Sequence, residues 1–199
     1  MRVKIPIGLI VVTAALSVVL AGCGGRSSIR WKAGDGRTDG AARAEGAYAA
    51  LQENVPAAAA RYIGKSYKYG ADPDTSNSSD CSHLVSAVTR NSLKDAGYEL
   101  EPYYMTTDDI YDNSFQIDEP EARPGDIVFF TNAKGAEKGE GNHAGVVTKR
   151  VKGALYFIHA SSSKGTIETS TRSDTWEYYW REKFDSFRRW KEEVFNGGR

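Results

Sequence analysis

Cysteine and histidine are the scarce reactive residue types of this sequence. It holds two cysteines, Cys23 and Cys81, and three histidines, His83, His143 and His159. A cysteine nucleophile needs a base, usually histidine, and a third group that orients the base. Cys81 with His143 and His159 therefore indicates acyl-transfer chemistry. The alternatives are a zinc site made by the same three residues, although no cysteine pair or H-E-x-x-H motif accompanies them, and an unreactive buried thiol.

The local sequence predicts that Cys81 begins a helix. Residues 71–80 are rich in turn-forming and capping types, and apolar residues then recur at helical spacing from Leu84 to Leu93. Ser79 or Asp80 is suited to cap this helix. At a helix start, unpaired N–H groups and the positive end of the dipole favour a lowered thiol pKa and can stabilise an oxyanion.

The two later histidines fall at the ends of predicted β-strands. Short apolar segments predict four strands: 126–130, 144–148, 155–159 and 166–169. A three-residue hairpin loop, Val151 to Gly153, would set Gly145 opposite His159. His143 and His159 then become diagonal neighbours on one sheet face, whereas a slip of one residue would separate them. Helices followed by antiparallel strands predict an α+β domain.

The N-terminus has the features of an export signal. Two basic residues precede an apolar run of about 16 residues, which is shorter than the roughly 20 that a membrane-spanning helix needs. The run ends in Leu-Ala-Gly before Cys23, which resembles a bacterial lipobox and predicts a lipid on that cysteine. A lipidated Cys23 leaves Cys81 as a free thiol in an exported protein.

These features divide the chain into three predicted parts. Residues 1–22 are the signal peptide, residues 23–46 are the lipidated cysteine with a flexible tether, and residues 47–199 are one globular domain. A helix is predicted to begin at Pro56 and to end at Gly64.

Charge excludes a nucleic-acid partner. The chain has 26 basic and 26 acidic residues, and removal of residues 1–22 takes away two basic residues and no acidic one, so the mature net charge is −2. No basic stripe for nucleic acid is present. Membrane attachment is expected through the lipid on Cys23, and we expect a monomer.

Five segments occur together in an order that resembles a known family. They are Gly64-Lys-Ser-Tyr-Lys-Tyr-Gly70, Asp80-Cys-Ser82, Pro124-Gly-Asp-Ile-Val-Phe-Phe130, His143-Ala-Gly-Val-Val147 and Phe157-Ile-His-Ala-Ser161. The set resembles the NlpC family of papain-like cell-wall peptidases, over about residues 54–192.

The resemblance implies a fold, a reaction and a set of site residues. The fold is a permuted papain-like one, with the Cys81 helix packed on an antiparallel sheet. The reaction is hydrolysis of peptidoglycan stem peptides, commonly between γ-D-glutamate and the diamino acid, without metal or organic cofactor. Cys81 would be the nucleophile, His143 the general base and acid, and His159 the residue that orients His143. The oxyanion and substrate would be contacted by three further residues: Tyr67, Asp80 and Ser82.

Two positions depart from the family pattern, and both bear on substrate choice. His83 stands where the family usually has glycine, and Ala71 replaces the second glycine of a Tyr-x-x-Gly-Gly pattern. The charged loop from Lys134 to Gly141 precedes His143 and can form a wall of the cleft or a plain surface loop.

Other functions remain open from the sequence. One is an amidase or acyltransferase that uses the same three residues on another substrate, and another is a non-catalytic wall-binding or scaffolding lipoprotein. Gly24 stands where an Asp would signal inner-membrane retention, so we expect an outer-membrane lipoprotein facing the periplasm.

Overall fold

The computed structural model describes residues 36–131 and 143–198. The helices are α1 (Gly36–Ala60), α2 (Cys81–Lys94) and α3 (Thr107–Asp112). The strands are β1 (Ser66–Tyr67), β2 (Ser78–Ser79), β3 (Tyr98–Leu100), β4 (Ser114–Ile117), β5 (Ile127–Phe130), β6 (His143–Val151), β7 (Ala154–Ser161), β8 (Gly165–Ser170), β9 (Phe184–Trp190) and β10 (Phe195–Gly197). Among these residues, no helix combines the length and apolarity needed to cross a bilayer. The predicted signal peptide, Cys23 and the loop 134–141 lie outside the described residues.

An antiparallel sheet of six strands forms the centre of the fold. Its strand order is β4-β9-β5-β6-β7-β8, and two small two-stranded sheets, β1-β2 and β3-β10, lie outside it. The four predicted strands correspond to β5, β6, β7 and β8, which are neighbours in the sheet. The α+β architecture predicted from the sequence is therefore the one observed.

Both faces of the sheet are covered by apolar side chains. Ile127 and Phe129 of β5 pack in a cluster with α1 and α2, whereas Val128 and Phe130 pack in a second cluster with Trp176 and other aromatic residues. A strand covered on both faces needs a continuous apolar run, which is why β5 shows no polar alternation. Trp176 belongs to a short π-helical turn, Trp176–Trp180, between β8 and β9.

The β6–β7 hairpin has the predicted register at the site but a different turn. Val151 pairs with Ala154, so the loop holds two residues, not three. Its two residues, Lys152 and Gly153, both have positive φ (51° and 82°), as in the tight turns whose twist suits a hairpin. A bulge between Val147 and Lys149 then adds back the missing residue.

Because the bulge offsets the shorter turn, Gly145 pairs with His159 as predicted. The loop prediction was wrong and the register prediction at the site was right. The residue left out of the ladder is Thr148, whose hydroxyl donates to Glu168 Oε1 at 2.6 Å. This hydrogen bond to β8 gives the bulged residue a partner outside the β6–β7 ladder.

Helix α1 begins well before the predicted end of the tether. Residues 36–46 are helical, and Ala44 and Ala47 are buried in the core. Pro56 lies inside this helix, whereas the sequence pattern predicts that a helix begins there. The buried contacts of Leu51, Val55 and Ala59 keep the helix together across a residue that lacks the N–H. The tether prediction was wrong for residues 36–46, which are helical and of which Ala44 packs in the core.

Candidate active site

Cys81 occupies the first turn of α2, as the local sequence predicts. Asp80 is the N-cap, and its side chain accepts a hydrogen bond from the backbone N–H of His83. Cys81 is half-buried as a residue, and its Sγ lies 3.9 Å from Thr107 Oγ1. The first N–H groups of a helix have no intrahelical acceptor, so the N–H of Cys81 is available to an oxyanion beside its own sulfur.

One cavity brings the three predicted chemical residues together. It has a volume of about 430 Å³ and is lined by Cys81, His143, His159 and Tyr67, among others. A second cavity of about 470 Å³ lies on the other side of Cys81 and Tyr67 and contains neither histidine. Cys81 therefore lies in the middle of a cleft whose two halves have different linings.

The two histidines form a hydrogen-bonded pair. His143 Nε2 lies 3.0 Å from His159 Nδ1, and the two rings are nearly perpendicular at 86°. This contact involves Nε2 of His143, so Nδ1 of the same ring takes no part in it. The sequence argument that both residues lie on one face of the sheet agrees with this geometry.

The pair leaves a single tautomer in which His143 can act as a base. His143 Nδ1 accepts a proton only when Nε2 carries the ring hydrogen, and Nε2–H then donates to His159 Nδ1. His159 must in turn carry its hydrogen on Nε2. That atom is buried and has no hydrogen-bond partner among the described residues. In this tautomer the Nε2–H of His159 is a buried donor without a partner among the described residues, and Nδ1 is the acceptor toward His143.

Trp180 packs against both histidines. Its ring is stacked on His143 at a centroid distance of 5.2 Å and an angle of 15°, and it meets His159 edge-on at 4.9 Å. Trp180 is buried and lines the same cavity. A flat aromatic wall on one side of the imidazole restricts its rotation and excludes water from that side.

Burial keeps both histidines neutral. Loss of water lowers the pKa of His143 to about 4 and that of His159 to about 3. His143 and the ammonium of Lys164 lower the pKa of His159 further. A neutral pair at physiological pH is the form that can accept a proton from a thiol.

The thiol of Cys81 has a raised pKa, which differs from the sequence expectation. Burial is the largest cause, and the nearby Asp80 carboxylate raises the pKa further. The backbone N–H groups of Ala144 and Ser82 and the hydroxyl of Thr107 lower it but do not compensate. The helix start therefore contributes as predicted, yet the resting group is a thiol and not a thiolate.

Tyr67 stands beside Cys81 and lines both halves of the cleft. Burial, followed by the charges of Cys81 and Asp80, raises the pKa of its phenol. Tyr67 therefore keeps its O–H hydrogen at neutral pH and can donate it to an anion. Its role as the oxyanion tyrosine, which the family resemblance implies, stays a prediction.

Asp80 and Ser82 are buried and are engaged with protein groups. Asp80 Oδ1 accepts from His83 N at 2.8 Å, His83 Nδ1 at 2.9 Å and Ser82 Oγ at 3.1 Å, and Oδ2 accepts from Gly70 N at 2.7 Å. A carboxylate offers about four lone-pair sites, so Asp80 has little capacity left for substrate. Ser82 Oγ also lies 3.1 Å from Tyr104 Oη.

The direction of these hydrogen bonds identifies the group that faces the cleft. Ser82 has one hydroxyl hydrogen, and it goes to Asp80, which can only accept. Tyr104 must therefore donate to Ser82, and its phenol oxygen presents lone pairs to the second cavity. Tyr104 is 37% exposed, whereas Asp80 is 3% exposed.

His83 and Ala71, which depart from the family pattern, both lie near the second cavity's wall or the turn that precedes it in the chain. The ring of His83 is stacked on Tyr104 at 3.9 Å and 20°, in addition to its bonds to Asp80. It fixes the wall of the second cavity and does not project into it. Ala71 has an ordinary negative φ, while Gly70 before it has φ +74°. The turn thus requires glycine at the first position and tolerates alanine at the second.

Several lining residues were missed at the sequence level. Trp180, Tyr104, Thr107 and the turn from Ser161 to Lys164 come from segments remote from Cys81 in sequence. The aromatic run Trp176-Glu-Tyr-Tyr-Trp180 was a visible signal, but nothing in the local pattern assigned it to the histidines. Among the described residues, no group of three or more His, Cys, Asp or Glu side chains is arranged to hold a metal ion.

Comparison with known proteins gives consistent matches. Residues 64–189 match the model of the NlpC/P60 family. The chain is 32% identical over 126 residues to the probable endopeptidase NlpC of Escherichia coli (strain K12), which covers 63% of this chain and 70% of that protein. A solved structure from Staphylococcus aureus, described as similar to a lipoprotein of the NLP/P60 family, superposes with a TM-score of 0.51 at 24% identity.

The staphylococcal match covers 71% of this chain and 41% of that one. The chain therefore spans less than half of the staphylococcal protein, and the likeness concerns the fold. It confirms the predicted papain-like α+β architecture.

Proposed function

This chain belongs to the NlpC/P60 family, and from that membership we propose that it is a cysteine peptidase that hydrolyses peptidoglycan stem peptides. Members of the family are typically cysteine peptidases that act on the cell wall. The observation that carries the proposal is the meeting of Cys81 with the His143–His159 pair in one cavity. We assign the cleaved bond to the one between γ-D-glutamate and the diamino acid.

The reaction starts from a neutral thiol and a neutral imidazole. His143 Nδ1 takes the proton of Cys81 Sγ as the sulfur attacks the carbonyl carbon. The oxyanion accepts hydrogen bonds from the Cys81 N–H and the Tyr67 hydroxyl. His143 then gives its proton to the leaving amine, and an acyl-enzyme on Cys81 remains.

The second half of the reaction restores the enzyme. His143 takes a proton from water as the water oxygen attacks the acyl carbon, and it returns this proton to the departing sulfur. In both halves the imidazolium is stabilised through Nε2–H, which donates to His159 Nδ1. His159 is thus the orienting group, and it needs no charge of its own.

The test is digestion of defined muropeptides by the full chain, with products identified by mass spectrometry. We expect one new amine and one new carboxylate at the γ-D-glutamyl bond. The Cys81→Ala variant should lose at least about 10³-fold in kcat while its thermal unfolding stays near that of the parent. Undiminished cleavage by the variant, or products cut at another bond, contradicts the assignment.

We further propose that Cys23 carries a lipid that anchors the chain in the outer membrane, facing the periplasm. The support is the Leu-Ala-Gly-Cys segment and the absence of Asp at position 24. The staphylococcal neighbour is itself described as similar to a lipoprotein. Mass spectrometry of the mature N-terminus and membrane fractionation test this, with Cys23→Ser as the variant that should be released from the membrane.

A further inference from the structure

The half of the cleft that contains the histidines ends in a turn rich in hydrogen-bond donors. This turn joins β7 to β8 and consists of Ser161, Ser162, Ser163 and Lys164, all of which line the cavity. Ser162, Ser163 and Lys164 are exposed. Lys164 takes part in no ion pair among the described residues, and its charge acts on His159.

The turn is held in place by its base and by its own hydrogen bonds. Thr166 N donates to Lys65 O at 2.7 Å, and Gly64 N donates to Thr166 O at 2.8 Å. Gly165 has φ +72° and lies so close to the Lys65 backbone that a side chain would clash. The segment that supports the turn therefore continues directly into Tyr67 beside the thiol. Inside the turn, Lys164 N donates to Ser161 Oγ at 3.3 Å.

More donors are available than the turn itself uses. Ser161 Oγ and Ser163 Oγ share one hydrogen bond of 3.3 Å, which uses one of the three serine hydroxyl hydrogens. The other two hydrogens and the three ammonium hydrogens of Lys164 are left for a ligand. Thr175 adds a further hydroxyl to the lining, and no described residue of this cavity is an Asp or Glu.

The opposite half of the cleft has the reverse charge. Asp80 and Asp108 line it, and no described Lys or Arg does. Cys81 thus lies between a half of the cleft that contains carboxylates and a half that contains hydrogen-bond donors and a lysine. A substrate that spans the cleft is expected to place an anionic group at the turn.

The position of the base determines which part of the substrate meets the turn. His143 must protonate the leaving amine, so the leaving residue lies on the histidine side of the sulfur. The cavity lined by His143 and His159 is the one that reaches Lys164, while the other cavity contains neither histidine. The anionic group therefore belongs to the residue whose amine is released.

We propose that the Ser161–Lys164 turn is a carboxylate-binding subsite for the leaving residue, which makes a free carboxylate on that residue a specificity determinant. The inference rests on the proposed peptidase function. The substrate class is a stem peptide whose diamino acid bears a side-chain carboxylate. A peptide in which that carboxylate is an amide, or in which lysine replaces the diamino-dicarboxylic acid, lacks the partner for Lys164.

Binding tests the subsite without reliance on turnover. The full chain with Cys81→Ala is titrated with L-Ala-γ-D-Glu-X whose C-terminal α-carboxylate is blocked as an amide, where X is diaminopimelate, its side-chain amide or lysine, so that only the diaminopimelate peptide has a free carboxylate on X. We expect the free carboxylate to bind about tenfold more tightly than either alternative at low salt, and the difference to shrink as salt screens the charge. Equal affinities for the three peptides overturn the proposal.

Variants of the turn separate recognition from folding. Lys164→Gln should remove the tenfold preference by weakening only the carboxylate peptide, while Lys164→Arg should keep most of it. Lys152→Gln, at the exposed β6–β7 turn, is the matched control and should keep the preference. A Lys164→Gln variant that weakens all three peptides equally contradicts a carboxylate subsite.

Kinetics with the unmodified cysteine then tests the two proposals separately. The same preference should appear in kcat/KM for the three peptides. If the free carboxylate binds best but no peptide is hydrolysed, the subsite is supported and the peptidase function fails. If all three are hydrolysed with equal kcat/KM and bind equally, the peptidase function holds and the subsite is overturned.

Discussion

His143 Nε2 lies 3.0 Å from His159 Nδ1 across two antiparallel strands whose register differs from a plain hairpin by one bulge. Only one of the two facing nitrogens can carry the hydrogen of this bond. If it is His143 Nε2, then His143 Nδ1 carries no hydrogen, as the proposed role of base toward Cys81 requires. The distance therefore links the register of the sheet to the protonation state of the candidate base.

The first prediction concerns the acceptor that His159 provides. His159→Ala should lower kcat by about 10–10³-fold with little change in KM, because His143 loses the group that orients it and stabilises its cation. His159→Asn is the matched control, since its amide oxygen can replace Nδ1 as the acceptor, and it should keep most of the activity. Steady-state kinetics on a muropeptide measures both. Equal losses in the two variants would show that volume, and not the acceptor, matters at this position.

The second prediction concerns stability and pH. Both histidines have folded pKa values, about 4 and about 3, that lie below the ordinary value of 6.5. Below pH 6.5 the unfolded chain binds protons at these two histidines that the folded chain does not. Their contribution to stability is therefore fully present above pH 6.5 and is lost as the pH falls toward 4. Between pH 6 and pH 5 these two histidines should lower the free energy of unfolding by about 2 kcal/mol.

Urea denaturation at several pH values measures this loss. A variant with His143→Gln and His159→Asn should show a flatter dependence over the same interval, because neither amide titrates. Other groups titrate equally in both proteins and cancel in the difference. A parent and a variant with the same pH slope would contradict the burial of two neutral imidazoles.

The third prediction concerns the reactivity of Cys81. Because burial and Asp80 raise its pKa, alkylation by iodoacetamide should be slow at pH 6 and should rise nearly tenfold per pH unit up to pH 8. Asp80→Asn should shift this profile to lower pH, since it removes the charge but keeps a residue suited to cap the helix. A rate that stays constant from pH 5 to pH 8 would indicate a preformed thiolate–imidazolium pair instead.

The fourth prediction concerns the stack of Trp180 on His143. Trp180→Ala should lower kcat and destabilise the fold by about 2–4 kcal/mol, because a large buried ring is lost and water gains access to the imidazole. Trp180→Phe should retain much of both, as it keeps a flat apolar face. Tyr178→Ala is the control within the same turn, because that ring is 87% exposed. A comparable loss from Tyr178→Ala would assign the effect to the turn and not to the stack.

The fifth prediction concerns His83, which replaces the usual glycine. His83→Gly should raise KM severalfold and leave kcat nearly unchanged, because it releases Tyr104 and Asp80 on the side of the cleft without the histidines. His83→Asn keeps a partner for Asp80, and His83→Phe keeps the stack on Tyr104. The two variants together show which contact holds the wall. A fall in kcat without a change in KM would contradict the positioning role.

Local patterns in the sequence were sufficient for the elements that carry Cys81 and the two histidines. The capping residue Asp80 and the helical spacing after it depend only on neighbours within a few residues, so the helix start at Cys81 was predictable. The apolar segments likewise predicted β5 to β8. The hairpin shows the limit of such reasoning, because the two-residue turn and the bulge at Thr148 were both missed and their effects on the register cancelled.

The extent of α1 and the position of Pro56 inside it could not be predicted either, because both depend on tertiary packing. A helix that carries a proline is stable here because its buried face packs on the rest of the domain, and that packing is not encoded in the helical pattern itself. The glycine-rich composition of residues 36–46 indicated a tether, whereas the segment is the first part of α1, which becomes buried from Ala44 onward.

The sequence by itself determined which residues can do chemistry, where the nucleophile stands on its helix and which strands carry the histidines. The tertiary structure alone decided the electrostatics of the site. The pKa of Cys81 is raised and those of the histidines are lowered mainly because residues far apart in the chain, such as Trp180 against the two histidines, pack around them and exclude water. Desolvation depends on the packing of the whole domain, whereas helix caps and strand periodicity depend on neighbours along the chain.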